Sequence, residues 1–172
     1  MLYFDRRSLE SKAVQVHDVL PAGDPVWTGG DVRPAPSVAV DGRLAPAGAE
    51  RFYFSGRMAG TAVIECRRCL VEVEREVEAD VHVLFAPSGD VAVEEDPDVY
   101  EYDPAERDLD LRPAIREAWL LEVPQFVVCS ETCRGLCPRC GADLNSGGCD
   151  CTGLEADPRW EALRQLRTPD QP

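Results

Sequence analysis

The chain has 172 residues, with 18 Lys and Arg against 32 Asp and Glu. It therefore has room for one substantial core plus a small appendage, and its net charge of -14 repels phosphate backbones on average and favours a basic partner. Eight cysteines are about 5% of the chain, below the roughly 8 to 10% of disulfide-stapled secreted scaffolds, and no apolar stretch approaches the roughly 20 residues that cross a bilayer.

Residues 1–7 lead into a polar stretch at 8–12, so no signal-peptide core is expected, and a reducing, cytoplasmic setting without a membrane span is the expectation. Runs at 14–20 and 37–44 have β character, the second broken by Asp41-Gly42, a turn dipeptide. Between them, residues 21–36 are rich in Pro and Gly and read as loop, where Trp27 has no assignable role.

Two long segments then alternate apolar and polar residues with the period of half-buried strands. Phe52, Phe54, Gly56, Met58, Gly60, Ala62 and Ile64 share one face of the first. In the second, Val71, Val73, Val77, Ala79, Val81, Val83 and Phe85 oppose Glu72, Glu74, Glu76, Glu78 and Asp80. Together they predict a long hairpin with Cys66-Arg-Arg-Cys69 at its tip, and Gly56 and Gly60 mark an expected bulge or bend.

From Asp90 to Asp110, ten acidic side chains face Arg107 as the one basic residue, which predicts a solvated, mobile loop or a docking tail for a basic partner. Asp110 then caps a helix that runs to about Leu121, with Leu111, Ile115, Ala118 and Trp119 on its packed face and Pro124 beyond its end. A second, short helix is expected from Asp157 and Pro158 through Trp160, Leu163 and Leu166. Periodicity assigns most of Phe52, Phe54, Phe85, Trp119 and Trp160 to core faces rather than to base stacking.

The fold class expected is α+β, mainly β: an antiparallel sheet or partly closed barrel with a long hairpin, one packed helix, and a C-terminal cysteine-rich zinc module with a short helix. A β-rich domain at 1–125 contains an acidic loop at 86–110 and a helix at 110–122, and a zinc-binding module follows at 126–172.

The cysteines form four close pairs: Cys66 with Cys69, Cys129 with Cys133, Cys137 with Cys140, and Cys149 with Cys151. A tight turn delivers two sulfurs to a tetrahedral ion, so four pairs supply two zinc sites. Cys137, Cys140, Cys149 and Cys151 are joined through the short Gly147-Gly148 loop, whose closure loses little entropy, which leaves Cys66, Cys69, Cys129 and Cys133 for the other ion. The spacing also permits Cys129, Cys133, Cys137 and Cys140 on one ion with the remaining four on another. A CxxC redox role is the weaker alternative, because neither CxxC pair opens a helix after a strand.

The run Cys129-Ser-Glu-Thr-Cys133-Arg-Gly-Leu-Cys137-Pro-Arg-Cys140-Gly-Ala-Asp-Leu-Asn145, with Cys149-Asp-Cys151, Cys66-Arg-Arg-Cys69-Leu70 and Asp157-Pro-Arg-Trp, resembles the YceD family of bacterial and plastid proteins. The resemblance implies a role in accumulation of large-subunit ribosomal RNA and in assembly of that subunit. Genes of the family often neighbour that of a small, basic, zinc-binding ribosomal protein, so the expected partner is a basic ribosomal protein or a large-subunit precursor. The alternative is direct RNA binding through a local basic patch of Arg67, Arg68, Arg134 and Arg139, which could equally serve to neutralise the thiolate sites. An enzyme is not expected: His17 and His82 each stand alone in a strand, and no GxSxG, P-loop, GxGxxG or HExxH occurs.

Overall fold

A computed structural model describes residues 2–48, 50–96, 98–151 and 159. The helix expected from Asp157 through Leu166 lies outside the described residues. In chain order the elements are β1 (Tyr3–Asp5), α1 (Arg6–Ser11), β2 (Val14–Pro21), β3 (Pro34–Pro46), β4 (Phe52–Glu65), β5 (Glu72–Pro87), α2 (Val91–Glu95), β6 (Val99–Tyr102), β7 (Asp108–Asp110) and α3 (Arg112–Glu122). The molecule is mainly β, with a five-stranded sheet in the order β2-β3-β4-β5-β6 and a small β1-β7 pair.

Alternation builds the sheet. Val38, Val40 and Leu44 of β3, Phe54, Met58 and Ala62 of β4, and Val77, Val81 and Val83 of β5 are buried on one face, and α3 covers them with Ile115 and Trp119. The opposite face of β5 exposes Glu72, Glu74, Glu76, Glu78 and Asp80 to solvent. Period two thus separates a core face from an acidic one along a single strand.

Four expectations need correction. The sheet is not wholly antiparallel, since β5 and β6 pair in parallel from Leu84↔Val99 to Pro87↔Tyr102, and among the described residues β2 and β6 are its edges and the strands do not close into a barrel. Asp41-Gly42 does not turn the chain: β3 runs straight through it, pairing Gly42 with Val16 on one side and Gly56 on the other. A Cβ on Gly42 would stand 2.7 Å from the Gly56 Cα and 2.9 Å from the Phe54 ring, so these glycines make room for an aromatic ring across the sheet. Nor do Gly56 and Gly60 mark a bulge, because β4 and β5 stay in register from Phe52↔Phe85 to Glu65↔Glu72, while Gly60 leaves space against Trp119. The register shift lies in β3, between Pro34 and Val38.

The fourth correction concerns 86–110, which holds α2, β6 and β7 rather than one long loop. Ion pairs tie it to the rest of the chain: Arg51 from outside grips its Asp90 at 2.6 Å, and its own Arg107 reaches Asp5 at 2.6 Å. Tyr100 and Tyr102 add apolar anchors, their rings 5.7 Å from Phe85 and 5.9 Å from Phe52. Counting charge within the run could not see these distant partners.

The helix α3 starts one residue later than expected: Leu111 is its N-cap and carries no side-chain cap bond, while Asp110 just before it accepts the Arg112 N–H at 2.9 Å and Pro113 lies in the first turn. The 21–36 segment is pinned to it: Arg116 pairs with Asp31 at 2.7 Å, and the Trp119 Nε1–H donates to the Val32 carbonyl at 2.7 Å. Trp27 takes a role here, buried in the core with Nε1–H donating to Pro21 at 2.9 Å.

Candidate metal centres

The turn between β4 and β5 carries Cys66 and Cys69. Leu70 adopts φ +62° and donates its N–H to the Cys66 carbonyl at 2.9 Å, while the Cys66 N–H donates to Val71 at 2.8 Å. After α3 the chain returns to this turn: Arg67 N–H donates to the Val127 carbonyl at 2.9 Å and Leu136 N–H to the Arg68 carbonyl at 2.9 Å. Arg75 adds a bond from its guanidinium to the Val128 carbonyl at 3.0 Å. These bonds bring Cys129 and Cys133 to the hairpin tip, and the four sulfurs of Cys66, Cys69, Cys129 and Cys133 all lie within 4.8 Å of one another.

The second tetrad repeats the device. Gly141, at φ +73°, donates its N–H to the Cys137 carbonyl at 2.8 Å, and the Cys137 N–H donates to Ala142 at 2.8 Å. Bond for bond this is the Cys66–Val71 turn, a likeness invisible in side chains that share little beyond the cysteines. Cys137, Cys140, Cys149 and Cys151 converge within the same 4.8 Å limit. The two tetrads therefore follow the partition favoured by loop length.

The donor chemistry fits a four-thiolate ion. Thiolates about 2.3 Å from a tetrahedral zinc stand roughly 3.8 Å apart, and the sulfurs of Cys66 and Cys133 are 3.9 Å apart, those of Cys69 and Cys129 3.6 Å. Neither separation is near the roughly 2.05 Å of a disulfide, and all eight cysteines are free. Backbone N–H groups point at sulfur, Cys129 at 3.3 Å and Arg68 at 3.5 Å from Cys66 Sγ.

Electrostatics favour a cation at each centre. Burial opposes ionisation of Cys66, yet the N–H groups of Arg68, Cys69 and Cys129 outweigh it and bring the thiol down to about 6. The Val71 N–H favours a Cys69 thiolate, but burial and the neighbouring sulfurs of Cys66, Cys129 and Cys133 push that thiol up to about 12. In the second tetrad the N–H groups of Cys140 and Arg139 lower Cys137 to about 6, and the sulfurs of Cys140 and Cys149 raise Cys151 to about 12. One sulfur in each cluster is held anionic while its neighbours resist a second negative charge, a conflict that a divalent ion at the centre removes.

Two residues that the sequence did not single out support the sulfurs. The Asn145 side chain accepts the Arg134 N–H at 2.7 Å and points Nδ2 at Cys133 Sγ, 3.6 Å away. Asp143 in turn accepts from Asn145 N–H at 2.9 Å and Nδ2 at 2.7 Å. Asn145 lies between Cys140 and Cys149 in the chain yet touches a sulfur of the other tetrad, and no spacing rule signals that.

The four arginines near the cysteines do different work. Arg68 donates to the carbonyls of Cys133 at 2.9 Å and Glu131 at 3.1 Å, tying the two segments together. Arg67 stacks over the Phe126 ring at 4.0 Å. Arg134 and Arg139 are exposed. His17 and His82 lie apart on the solvent face of the sheet, bonded to Asp41 at 2.6 Å and to the Tyr53 hydroxyl at 3.1 Å.

Fold and site together define a mixed-sheet protein whose C-terminal segment carries two four-cysteine centres, one of them shared with the tip of the central hairpin. Among the described residues no helix is long and apolar enough to cross a membrane. Residues 54–167 match the family described as large ribosomal RNA subunit accumulation protein YceD, and the chain belongs to that family. An uncharacterized protein of Mycobacterium tuberculosis is 35% identical over 124 residues, 70% of this chain and 58% of its own length. The chain thus spans little more than half of the mycobacterial relatives it matches. A Bacillus subtilis protein, also uncharacterized, is 30% identical over 141 residues, 81% of this chain and 80% of its own. The chloroplastic large ribosomal RNA subunit accumulation protein YCED homolog 1 of Arabidopsis thaliana is 34% identical over 70 residues, 41% of this chain and 22% of its own. No solved structure matches.

Proposed function

We propose that the protein is a non-enzymatic, zinc-stabilised cytoplasmic factor that supports accumulation of large-subunit ribosomal RNA by binding a basic ribosomal protein or a large-subunit precursor. Family membership carries this reading, because the matched stretch runs from the central hairpin into both cysteine tetrads and the family is described by that role. The charge of -14 supports a basic partner. Four-thiolate sets support a structural use of zinc, since they leave no coordination position open for water or substrate. Zinc would be held by Cys66, Cys69, Cys129 and Cys133 at one centre and by Cys137, Cys140, Cys149 and Cys151 at the other. Direct RNA binding receives less support, because Arg68 of the expected basic patch is bound to backbone carbonyls.

Protein purified without chelator should carry one zinc per tetrad, with all eight thiols masked until unfolding. In cells, depletion should lower the ratio of large- to small-subunit ribosomal RNA, and tagged protein should capture a large-subunit protein or precursor. Metal-free protein with reactive thiols would overturn the zinc assignment. An unchanged RNA ratio would overturn the function.

A further inference from the structure

The outer edge of β5 is unevenly covered. β6 pairs with it only from Leu84 to Pro87, and at the other end Arg75 bridges the carbonyls of Glu74 at 2.8 Å and Val128 at 3.0 Å. Between these limits, from Glu76 to Val83, β5 is paired with β4 alone among the described residues. That is a strand edge of roughly 25 Å, at about 3.4 Å per residue. Such edges offer unpaired backbone N–H and C=O groups to any chain that can reach them.

Beside this edge lies an open groove of about 280 Å³ between β5, the start of β6 and α3, with Asp80, Asp98, Val81, Val83, Ala118 and Leu121 among its lining. The two sides differ in chemistry. Glu76, Glu78 and Asp80 project to the solvent face, whereas Val77, Val81 and Val83 are buried on the α3 side, where Leu121 is 80% exposed at the mouth. Glu78 is bonded to Arg57 of β4, and Glu117 accepts from the Tyr100 hydroxyl. Asp80 and Asp98 make no side-chain hydrogen bond or ion pair among the described residues.

We infer that the β5 edge from Glu76 to Val83 is a strand-addition site for an extended segment of a basic partner protein, one in which Lys or Arg alternates with apolar residues. The pleat places every second side chain of an added strand beside Glu76, Glu78 and Asp80, and the others beside Val77, Val81 and Val83. The same carboxylates disfavour a second copy of this acidic chain, because like charges directly opposite repel. β6 already fills the upper end of the edge in parallel and leaves the slot in line with it. The inference rests on the proposed basic partner and gives that partner a docking site and a sequence pattern.

The test uses zinc-loaded full-length chain with three fluorescent probes: a decapeptide of alternating Lys and Val, the same peptide N-methylated at every residue so that neither of its edges can pair, and its Glu-Val counterpart. The Lys-Val peptide should bind in a salt-dependent way and slow amide exchange within Glu76–Val83. The N-methylated peptide has the same charge but cannot pair, so it should bind at least about tenfold more weakly. The Glu-Val peptide should not bind. The double variant Asp80→Lys, Asp98→Lys should weaken the Lys-Val peptide by at least about tenfold while leaving zinc content unchanged.

Equal binding of the N-methylated peptide, or protection elsewhere on the chain, would overturn strand addition. So would slow exchange, in the free protein and without peptide binding, at those amides of Glu76–Val83 that do not bond β4. Capture from lysate separates the two proposals. Equal capture of ribosomal proteins by wild type and the double variant refutes the edge but leaves the basic partner, and no capture by wild type refutes the partner while the peptide result still decides the edge.

Discussion

Gly135 and Gly141 form a matched pair for testing whether the cysteine segment is truly bolted to the hairpin tip. Both have positive φ, +74° and +73°, so alanine at either costs about 1 kcal/mol in backbone conformation. Around Gly141 an added Cβ meets nothing within 4 Å, but at Gly135 it would stand 2.7 Å from the Arg68 carbonyl oxygen. That carbonyl accepts the Leu136 N–H at 2.9 Å, so relieving the clash also loosens a bond worth about 1 kcal/mol. Gly141→Ala should therefore weaken zinc at its own tetrad about fivefold, and Gly135→Ala should weaken zinc at Cys66, Cys69, Cys129 and Cys133 by about 30-fold or more. Competition with a chromophoric chelator at fixed pH, on variants that retain only one intact tetrad, reads each affinity. Equal effects of the two substitutions would refute the contact between Gly135 and Arg68, and with it the docking of the segment on the hairpin.

Three further outcomes are expected. Asn145→Ala removes the bonds to the Arg134 N–H and to Cys133 Sγ, and should weaken zinc at the hairpin tetrad by about 10- to 100-fold in the same competition assay. The Arg116 guanidinium holds the Asp31 carboxyl down at about 2, from an ordinary 3.8. Because that value is depressed in the folded state, the pair stabilises the fold above about pH 4 and is lost as pH falls toward 2. Asp31→Asn should therefore flatten the denaturation midpoint across that interval, and an unchanged slope would count against the pair. Gly60→Ala would place a Cβ 2.9 Å from the Ser37 carbonyl and 3.0 Å from the Trp119 ring. It should destabilise the sheet domain by about 1 to 3 kcal/mol in urea, with zinc stoichiometry unchanged.

What the sequence made legible was local. Alternation at Phe52, Phe54 and Met58 and at Val77, Val81 and Val83 marks the core face because each strand's period is set within the strand. Leu111, Ile115 and Trp119 mark the packed face of α3 for the same reason. What stayed hidden depends on residues far apart in the chain. Asp41-Gly42 has the composition of a turn, and only the facing Gly56 and the Phe54 ring explain why it is strand. Acids between Asp90 and Asp110 read as a repelling run until the fold brings Arg51 to Asp90, while the run's own Arg107 takes its carboxylate partner from Asp5. Strands β1 and β7 pair Tyr3 with Asp110 across the chain, and three-residue elements have too little period to be seen alone.

The partition of the cysteines shows the same division between local and distant causes. Loop length alone explains the second tetrad, where Gly147-Gly148 joins Cys140 to Cys149 within a short stretch. It cannot explain the first, because Cys69 and Cys129 are 60 residues apart and closing such a loop costs entropy. Three bonds offset that cost before any ion binds: Arg67 to Val127, Leu136 to Arg68, and the Arg68 guanidinium to the Cys133 carbonyl. Packing of α3 on β5 delivers the chain to within reach of them, so the fold supplies the closure and the ion has only to lock it. The alternative grouping, with Cys129, Cys133, Cys137 and Cys140 on one ion and Cys66, Cys69, Cys149 and Cys151 on the other, would part Cys66 from Cys133 and Cys69 from Cys129, whose sulfurs stand 3.9 and 3.6 Å apart. Those separations already match sulfurs that share one tetrahedral ion, and the convergence of each set of four decides for the hairpin-tip grouping.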